Sequence, residues 1–440
     1  MTSERETQAS PGQSTSPESD VTDQLVDHFF RHESAKLVAL LTRVFGLHNL
    51  DLVEDVVQSA LLRALESWKF KGVPADPTAW VYRVARNRAL DVIRRRSTAE
   101  KYGPDVAWLE AARDSDCPLD ELFLDREIQD SQLRMIFACC RDELAPESQI
   151  ALALKILCGF SVAEISRALL GSEASVKKRI YRAKQQLAAH RDDFQVPDGD
   201  DLAGRLESVH GVLYLLFNEG YNSQHPDELI RRDLCEEAIR LCHQLSEHPC
   251  ASPATRALLA LMMLHAARFD ARLDSEGGIL RLEDQDRERW HRPLIVRGLE
   301  FLDASAAGDT LTRYHLEAGI AAQHCLAPSF EATDWPTIRG LYDHLVRLHP
   351  TPVGELNRAI VIAQIDGPAA GIAAIESAPG LRQLGAYHLL DATLGELHLR
   401  AGNRERARTY FESASAKTRS LSERRHLVRR LHACDASAES

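Results

Sequence analysis

Apolar residues recur along this chain at intervals of three and four, the spacing that gives an α-helix one buried face. The first such stretch, Leu25 to Phe45 (Leu25, Phe29, Phe30, Leu37, Leu40, Leu41, Val44), predicts an amphipathic pair of helices that stops at Gly46. Another helix is predicted from about Leu50 to Trp68, with Val53, Val56, Val57, Ala60, Leu61, Ala64 and Leu65 inward and Glu54, Asp55, Gln58 and Arg63 outward. The next spans Pro77 to Arg96. At about 100° per residue, Val84, Ala85, Ala89, Val92 and Ile93 gather on one side, and Trp80, Arg83, Asn87 and Arg94 fall within about a 60° arc of the other. Between these two helices, Lys69 to Pro77 holds one glycine and two prolines and reads as a loop.

The pattern then weakens. From Ser97 to Asp130 ten carboxylates face only Lys101, Arg113 and Arg126, which predicts an acidic linker. Periodicity returns with Leu133, Ile136, Phe137 and Cys140, and again from Pro146 through Ile150, Ala153, Leu154 and Leu157 to Gly159. Ser161 and Glu164 have capping-box spacing, Gly171 suits a sharp turn, and Ala174 to Arg191 carries six basic residues and no acid. Together these predict a helix-turn-helix whose second helix presents Lys177, Lys178, Arg179 and Arg182 to phosphates or base edges.

After Gln195 to Asp201, helical stripes continue to the end, beginning with Leu202, Leu206, Val209, Leu213, Leu216 and Phe217. Leu394, Gly395, His398, Gly402, Ala407 and Phe411 occupy the small and large packing positions of a tetratricopeptide repeat, whose period is about 34 residues. A weaker copy runs from Leu356 and Ala359 through Gly367 to Ile375. The fold class expected is all-α. Asn218 to Asn222 reads as a polar helix end, with Gly220 at φ > 0 and Tyr221 either capping that helix or touching the DNA-binding half; Trp290 is expected to anchor a core.

The net charge of −12 over 440 residues argues against nucleic acid only if charge is spread evenly. It is not. Six arginines and one aspartate share the Pro77 to Arg96 helix with Trp80 and Tyr82. Such a face suits either a solvated surface or a helix that grips a phosphate backbone and stacks on unpaired bases. Nine scattered cysteines without Cys-x-x-Cys fit buried thiols. Cys235, Cys242, His243, His248 and Cys250 match no standard zinc spacing, so no metal is expected. Nor is a cofactor: no phosphate loop or nucleophile constellation marks an enzyme. The run Ala257 to Ala267 is too short to span a bilayer, the first 20 residues lack an apolar centre, and a cytoplasmic protein without a membrane partner is expected.

The segment Leu52 to Trp68 followed by Pro77 to Arg96 resembles region 2 of the extracytoplasmic-function (ECF) sigma factors, and the helix-turn-helix after an acidic linker resembles their region 4. The whole chain resembles the subgroup carrying a tetratricopeptide-like extension. The resemblance implies that Asp55 and Gln58 face core RNA polymerase. It implies that Lys69, Phe70 and Lys71 line a pocket for a flipped base of the minus-ten element, which Trp80, Tyr82, Arg83, Asn87, Arg88 and Arg94 help to open. Ser172, Ser175, Lys177, Lys178, Arg179 and Arg182 would read the minus-35 element, and the acidic linker would thread the polymerase. The family more often has Gly-Thr-Val where Ala174-Ser175-Val176 stands here, so the preferred bases are expected to differ.

The expected organisation is a disordered tail (1–20), region 2 (21–97), an acidic linker (98–130), region 4 (131–192), a second linker (193–201) and a helical extension (202–440). The expected partners are core RNA polymerase, promoter DNA and a regulatory protein on the extension. One alternative is a polymerase-independent helix-turn-helix regulator whose helical repeats sense a ligand or protein, which leaves Leu52 to Arg96 without a role. A scaffold with incidental basic helices is the other.

Overall fold

A computed structural model describes residues 17–99, 125–169, 171–189, 194–197, 199–222, 230–378, 380–381, 387–418 and 420–435. Residues 1–16 and most of the acidic linker, 100–124, lie outside that set. The chain divides into two compact units, the first comprising Met1–Cys139, Ala151–Ser161 and Lys178–Val196, the second Cys140–Ile150, Val162–Lys177 and Pro197–Ser440.

In the first unit, α1 (Pro17–Phe45) is one continuous helix rather than a pair, and it takes in the last four residues of the expected tail. It ends because Gly46 turns to φ 78, where its N–H still reaches the Thr42 carbonyl at 2.7 Å. Leu37, Leu40 and Leu41 are buried on its inner side. Next come α2 (Leu50–Lys71) and α3 (Pro77–Ala99), which pack together with small residues on their buried sides, Ala60 and Ala64 on one and Ala85 and Ala89 on the other. Leu65, expected inward, is 48 % exposed, because the buried side of α2 narrows to Val53, Val56, Val57, Ala60 and Ala64. The helix α4 (Asp125–Cys139) absorbs the end of the acidic stretch, and its Glu127 and Asp130 pair with Arg43 of α1. Ile128 packs on Leu40 beside Val44 and Tyr82. Gly159 adopts φ +68 with Arg31 O only 2.6 Å from where a Cβ would lie, so both backbone and space call for glycine there.

The chain continues with α5 (Pro146–Ile156), α6 (Val162–Ala168) and α7 (Glu173–Ala188). The second unit is then built by α8 (Gly199–Tyr221), α9 (Arg232–Glu247), α10 (Pro253–Ala266), α11 (Arg292–Ser305), α12 (Arg313–Leu326), α13 (Trp335–Leu348), α14 (Pro352–Asp366), α15 (Pro368–Ser377), α16 (His388–Arg400), α17 (Arg404–Lys417) and α18 (Leu421–Asp435). Neighbours in sequence pack on one another, and successive small cores form along the array, as in a helical solenoid. No β-sheet forms among the described residues.

Several expectations find their place here. Trp290 is 2 % exposed in the core with Leu264, Ile295 and Cys325. Gly220 lies within α8 and not at φ > 0: its missing Cβ admits the Arg231 carbonyl and Cys235 Sγ, each 2.7 Å from the Cβ position. Tyr221 stacks on Phe217 at 5.7 Å with Arg272 3.8 Å over its ring, so it belongs to the extension's own packing. Cys235 and Cys242 are buried with their thiols toward the Phe217 and Thr255 carbonyls. In α16 and α17, Gly395 lies under the Phe411 ring, 2.8 Å from its Cβ position, and Gly402 turns at φ +81, the close-packed pattern that the repeat spacing predicts. Residues 273–284 fold across α18, where Arg429 pairs with Asp274 and the Ser422 hydroxyl donates to the Gly277 carbonyl.

Candidate nucleic-acid interface

The helix α2 runs on to Lys71, so Lys69, Phe70 and Lys71 form its last turn instead of a loop. It stops where Gly72 takes φ 77 and its N–H returns to the Trp68 carbonyl at 2.9 Å. Only Gly72 to Asp76 connect to α3, whose first turn is capped by Asp76 Oδ1 accepting from the Ala79 N–H at 2.9 Å. This short connection fixes Trp80 one turn into α3, edge-on to Trp68 at 5.7 Å, while Trp68 stacks on Phe30 at 5.4 Å. The indole is thus braced from behind.

Trp80 borders a groove of about 370 Å³ whose other walls are Arg83, Val84, Asn87, Arg88 and Asp91 of α3 and Ser59, Ala60 and Arg63 of α2. Four of the expected residues, Trp80, Arg83, Asn87 and Arg88, therefore converge. Arg63 and Ser59 add a third cation and a hydroxyl that the reading of α3 alone missed; the outward position of Arg63 on α2 was the available signal. Val84, expected inward, lines the groove because the buried stripe is Val81, Ala85 and Ala89. Tyr82 does not join: its ring packs with Leu40, Val44 and Ile128. Phe70, 84 % exposed, and the half-turn Lys69 and Lys71 stand outside the groove, and the side chain of Arg94 lies outside the described residues. Asp55 and Gln58 are both exposed, one turn apart on α2.

The helix-turn-helix forms as α6, a turn through Gly171, and α7. Gly171 is not in the left-handed region, and a Cβ there would meet only ordinary contacts, the nearest Val176 Cγ2 at 3.7 Å. Ser172 Oγ accepts from the Ser175 N–H at 3.2 Å and caps α7. Val176, Ile180, Ala183 and Leu187 are buried, which leaves Ser172, Ser175, Lys177, Lys178 and Arg182 exposed and Arg179 half-buried. Tyr181, 60 % exposed, adds an aromatic between the cations. Lys184 turns elsewhere, to Asp51 at 2.7 Å and to Glu54 of α2. Burial works against its charge, but Glu54 and Asp51 outweigh it and hold the ammonium above the usual lysine range.

A basic groove with a braced indole and a helix-turn-helix following it match two known families in the same order. Sigma-70 region 2 matches residues 29–98 and Sigma-70, region 4 matches residues 134–187. The chain carries the region 2 and region 4 domains of the sigma-70 family. Its relatives include the ECF RNA polymerase sigma factor SigG of Mycobacterium tuberculosis, 26 % identical over 52 % of this chain and 68 % of that protein. Another is SigX of Bacillus subtilis, 28 % identical over 32 % of this chain and 70 % of that protein. A protein of Rhizobium meliloti described only as uncharacterized is 39 % identical over 89 % of this chain and 92 % of its own length, so the likeness there extends through the extension. Residues 205–306 of this chain also match a family of unknown function (DUF6596). No solved structure gives a significant match. No described helix is long and apolar enough to cross a membrane.

Proposed function

We propose that the chain directs RNA polymerase to promoters and opens the DNA there. The observation that carries this reading is the indole of Trp80, braced by Trp68 and set among Arg63, Arg83, Arg88 and Asn87. An aromatic face inside a cationic groove suits an unstacked base whose phosphates lie beside it. A duplex keeps its bases stacked, so such a groove has a use only when strands separate. The exposed face of α7, with Ser175, Lys177, Lys178 and Arg182, has the composition of a major-groove reader for the minus-35 element. Asp55 and Gln58, exposed on α2, are proposed to contact the polymerase.

The extension is proposed to regulate this activity, as in sigma factors carrying tetratricopeptide-like repeats. In the second unit the Ser208 hydroxyl donates to the Asp142 carboxylate, and Arg205 lies close enough to Cys140 to act on its thiol. These contacts join the start of the extension to the turn between α4 and α5, so deleting the extension would strip partners from region 4. Function is therefore best tested with the full chain. Purified bacterial core polymerase supplied with it is expected to initiate from a genomic promoter library, with initiation lost in Trp80→Ala and Asp55→Ala/Gln58→Ala variants that remain folded. Sequence-specific binding to promoter duplex without polymerase, coupled with no initiation, would favour a free helix-turn-helix regulator instead.

A further inference from the structure

A cavity of about 400 Å³ opens in the second unit, between the inner sides of α13, α14, α16 and α18 and the segment 279–283. It lies among residues with no part in the proposed DNA contacts. Each helix shows it one face at helical spacing: Trp335 and Tyr342, then Asn357, Ile360, Val361 and Gln364, then Leu389, Thr393, Glu396 and Arg400. That volume falls in the range of small-molecule sites, which are mostly apolar with a few convergent polar groups.

Charge within the wall is uneven. Glu396 is held by Arg281 at 2.8 Å and Arg430 at 2.7 Å. Glu283 is held by Arg281 at 2.7 Å, and Glu423 accepts from the Thr418 hydroxyl, with His388 Nε2 2.9 Å away. Every carboxylate that lines the cavity thus has a donor. Arg400 has no carboxylate partner among the described residues, and it shares its helix face with Thr393. An apolar wall that ends in one uncompensated guanidinium fits a ligand with an apolar body and a single negative charge. The three neighbouring carboxylates disfavour a dianion such as a phosphate monoester, whereas a carboxylate matches the planar guanidinium two oxygens to two N–H groups.

We propose that this cavity binds a small amphipathic carboxylate, its body against Trp335, Ile360 and Val361 and its carboxylate on Arg400. The test titrates the full chain with indole-3-acetate and decanoate and with their uncharged counterparts, indole-3-acetamide and decan-1-ol, by calorimetry. One-site binding of at least one carboxylate is expected, weakened about tenfold or more in Arg400→Ala, which loses a charge-assisted bond. Ile360→Trp, which fills the cavity, is expected to abolish binding while the urea midpoint stays near that of the parent. Equal binding of the uncharged counterparts, or binding indifferent to both substitutions, overturns the proposal. So does the absence of saturable binding by either carboxylate at millimolar concentration. No polymerase or DNA is present, so the outcome leaves the promoter reading untouched.

Discussion

At the scale of single residues, the groove separates two kinds of contact. Replacing Trp80 by alanine removes a stacking face worth about 1–3 kcal/mol per base, so complexes with forked, single-strand-bearing promoter DNA are expected to dissociate roughly tenfold faster or more. Trp80→Phe should recover most of that, and an unchanged lifetime for the alanine variant would remove stacking from the account. Arg83→Ala is expected to weaken binding across sequences and to reduce the salt dependence of holoenzyme binding by about one ion. Buried histidines give a second residue-scale prediction. Burial, helped by Arg268, Arg272 and His324, pushes His265 down to about 3, and burial with Arg268 and Arg287 pushes His324 down to about 3; burial takes His210 to about 4. These folded-state values lie below the unfolded histidine value near 6.5. Their stabilising contribution is therefore complete above pH 6.5 and is lost as pH falls, at up to about 1.4 kcal/mol per pH unit for each group. Glu219 and Glu317 are pushed upward by burial and act in the opposite direction. The difference between the parent and His265→Gln isolates the effect: the parent should lose more of its urea midpoint between pH 7 and pH 4.5. Parallel curves would contradict a neutral, buried His265.

At the scale of elements, glycine makes the sharpest distinctions, because its role depends on what approaches it. Gly395→Ala drives a methyl into the Phe411 ring, with contacts at 2.8 Å, and overpacking of this kind costs about 1–3 kcal/mol. Phe411→Ala, opening a cavity where the ring is 1 % exposed, is expected to cost about 3–5 kcal/mol. Gly171→Ala meets no close contact and should leave the urea midpoint within experimental error, which would separate it from Gly395 and Gly220. If Gly171→Ala proved the most disruptive of the three, the geometry of the α6–α7 turn would be wrong. Much of the element pattern was legible beforehand. The stripe of α2 apart from Leu65, the stripe of α8 and the start of α5 at Pro146 follow from 3.6-residue periodicity and local caps, and the small and large positions in α16 and α17 were read from the spacing of a helical repeat. The run of α2 to Lys71 was not, because the turn chemistry of Gly72 and the two prolines lies so close behind Lys69 that the sequence pattern does not mark where the helix stops.

At the scale of the whole chain, the decisive contacts join residues far apart in sequence. Lys184 and Glu54 have side chains only 12 % and 14 % exposed, so this pair is shielded from salt. Lys184→Ala is expected to cost roughly 1–3 kcal/mol by leaving Glu54 without its partner. In a double-mutant cycle with Glu54→Gln the loss in the double variant should fall well short of the sum of the two single losses; strict additivity would show that the pair does not form in solution. The same pairing withdraws one of the six cations of the α7 region from the surface available to DNA.

Taken alone, the sequence determined the all-helical class, the order of a basic aromatic helix, an acidic stretch and a helix-turn-helix, and the convergence of Trp80, Arg83 and Asn87, because residues sharing one face of one helix need no further information to be neighbours; Arg88, about 80° away from Trp80 around the helix, was expected only from the family resemblance. Only the tertiary structure decided that Tyr82 turns to Leu40 and Ile128, that Val84 faces the groove, that Arg63 joins it, that Lys184 belongs to Glu54, and that Gly220 serves close packing rather than a turn. It alone assembled the cavity that ends at Arg400. Periodicity states which side of a helix is buried, but the identity of what buries it depends on contacts tens to hundreds of residues away, and no local spacing encodes those.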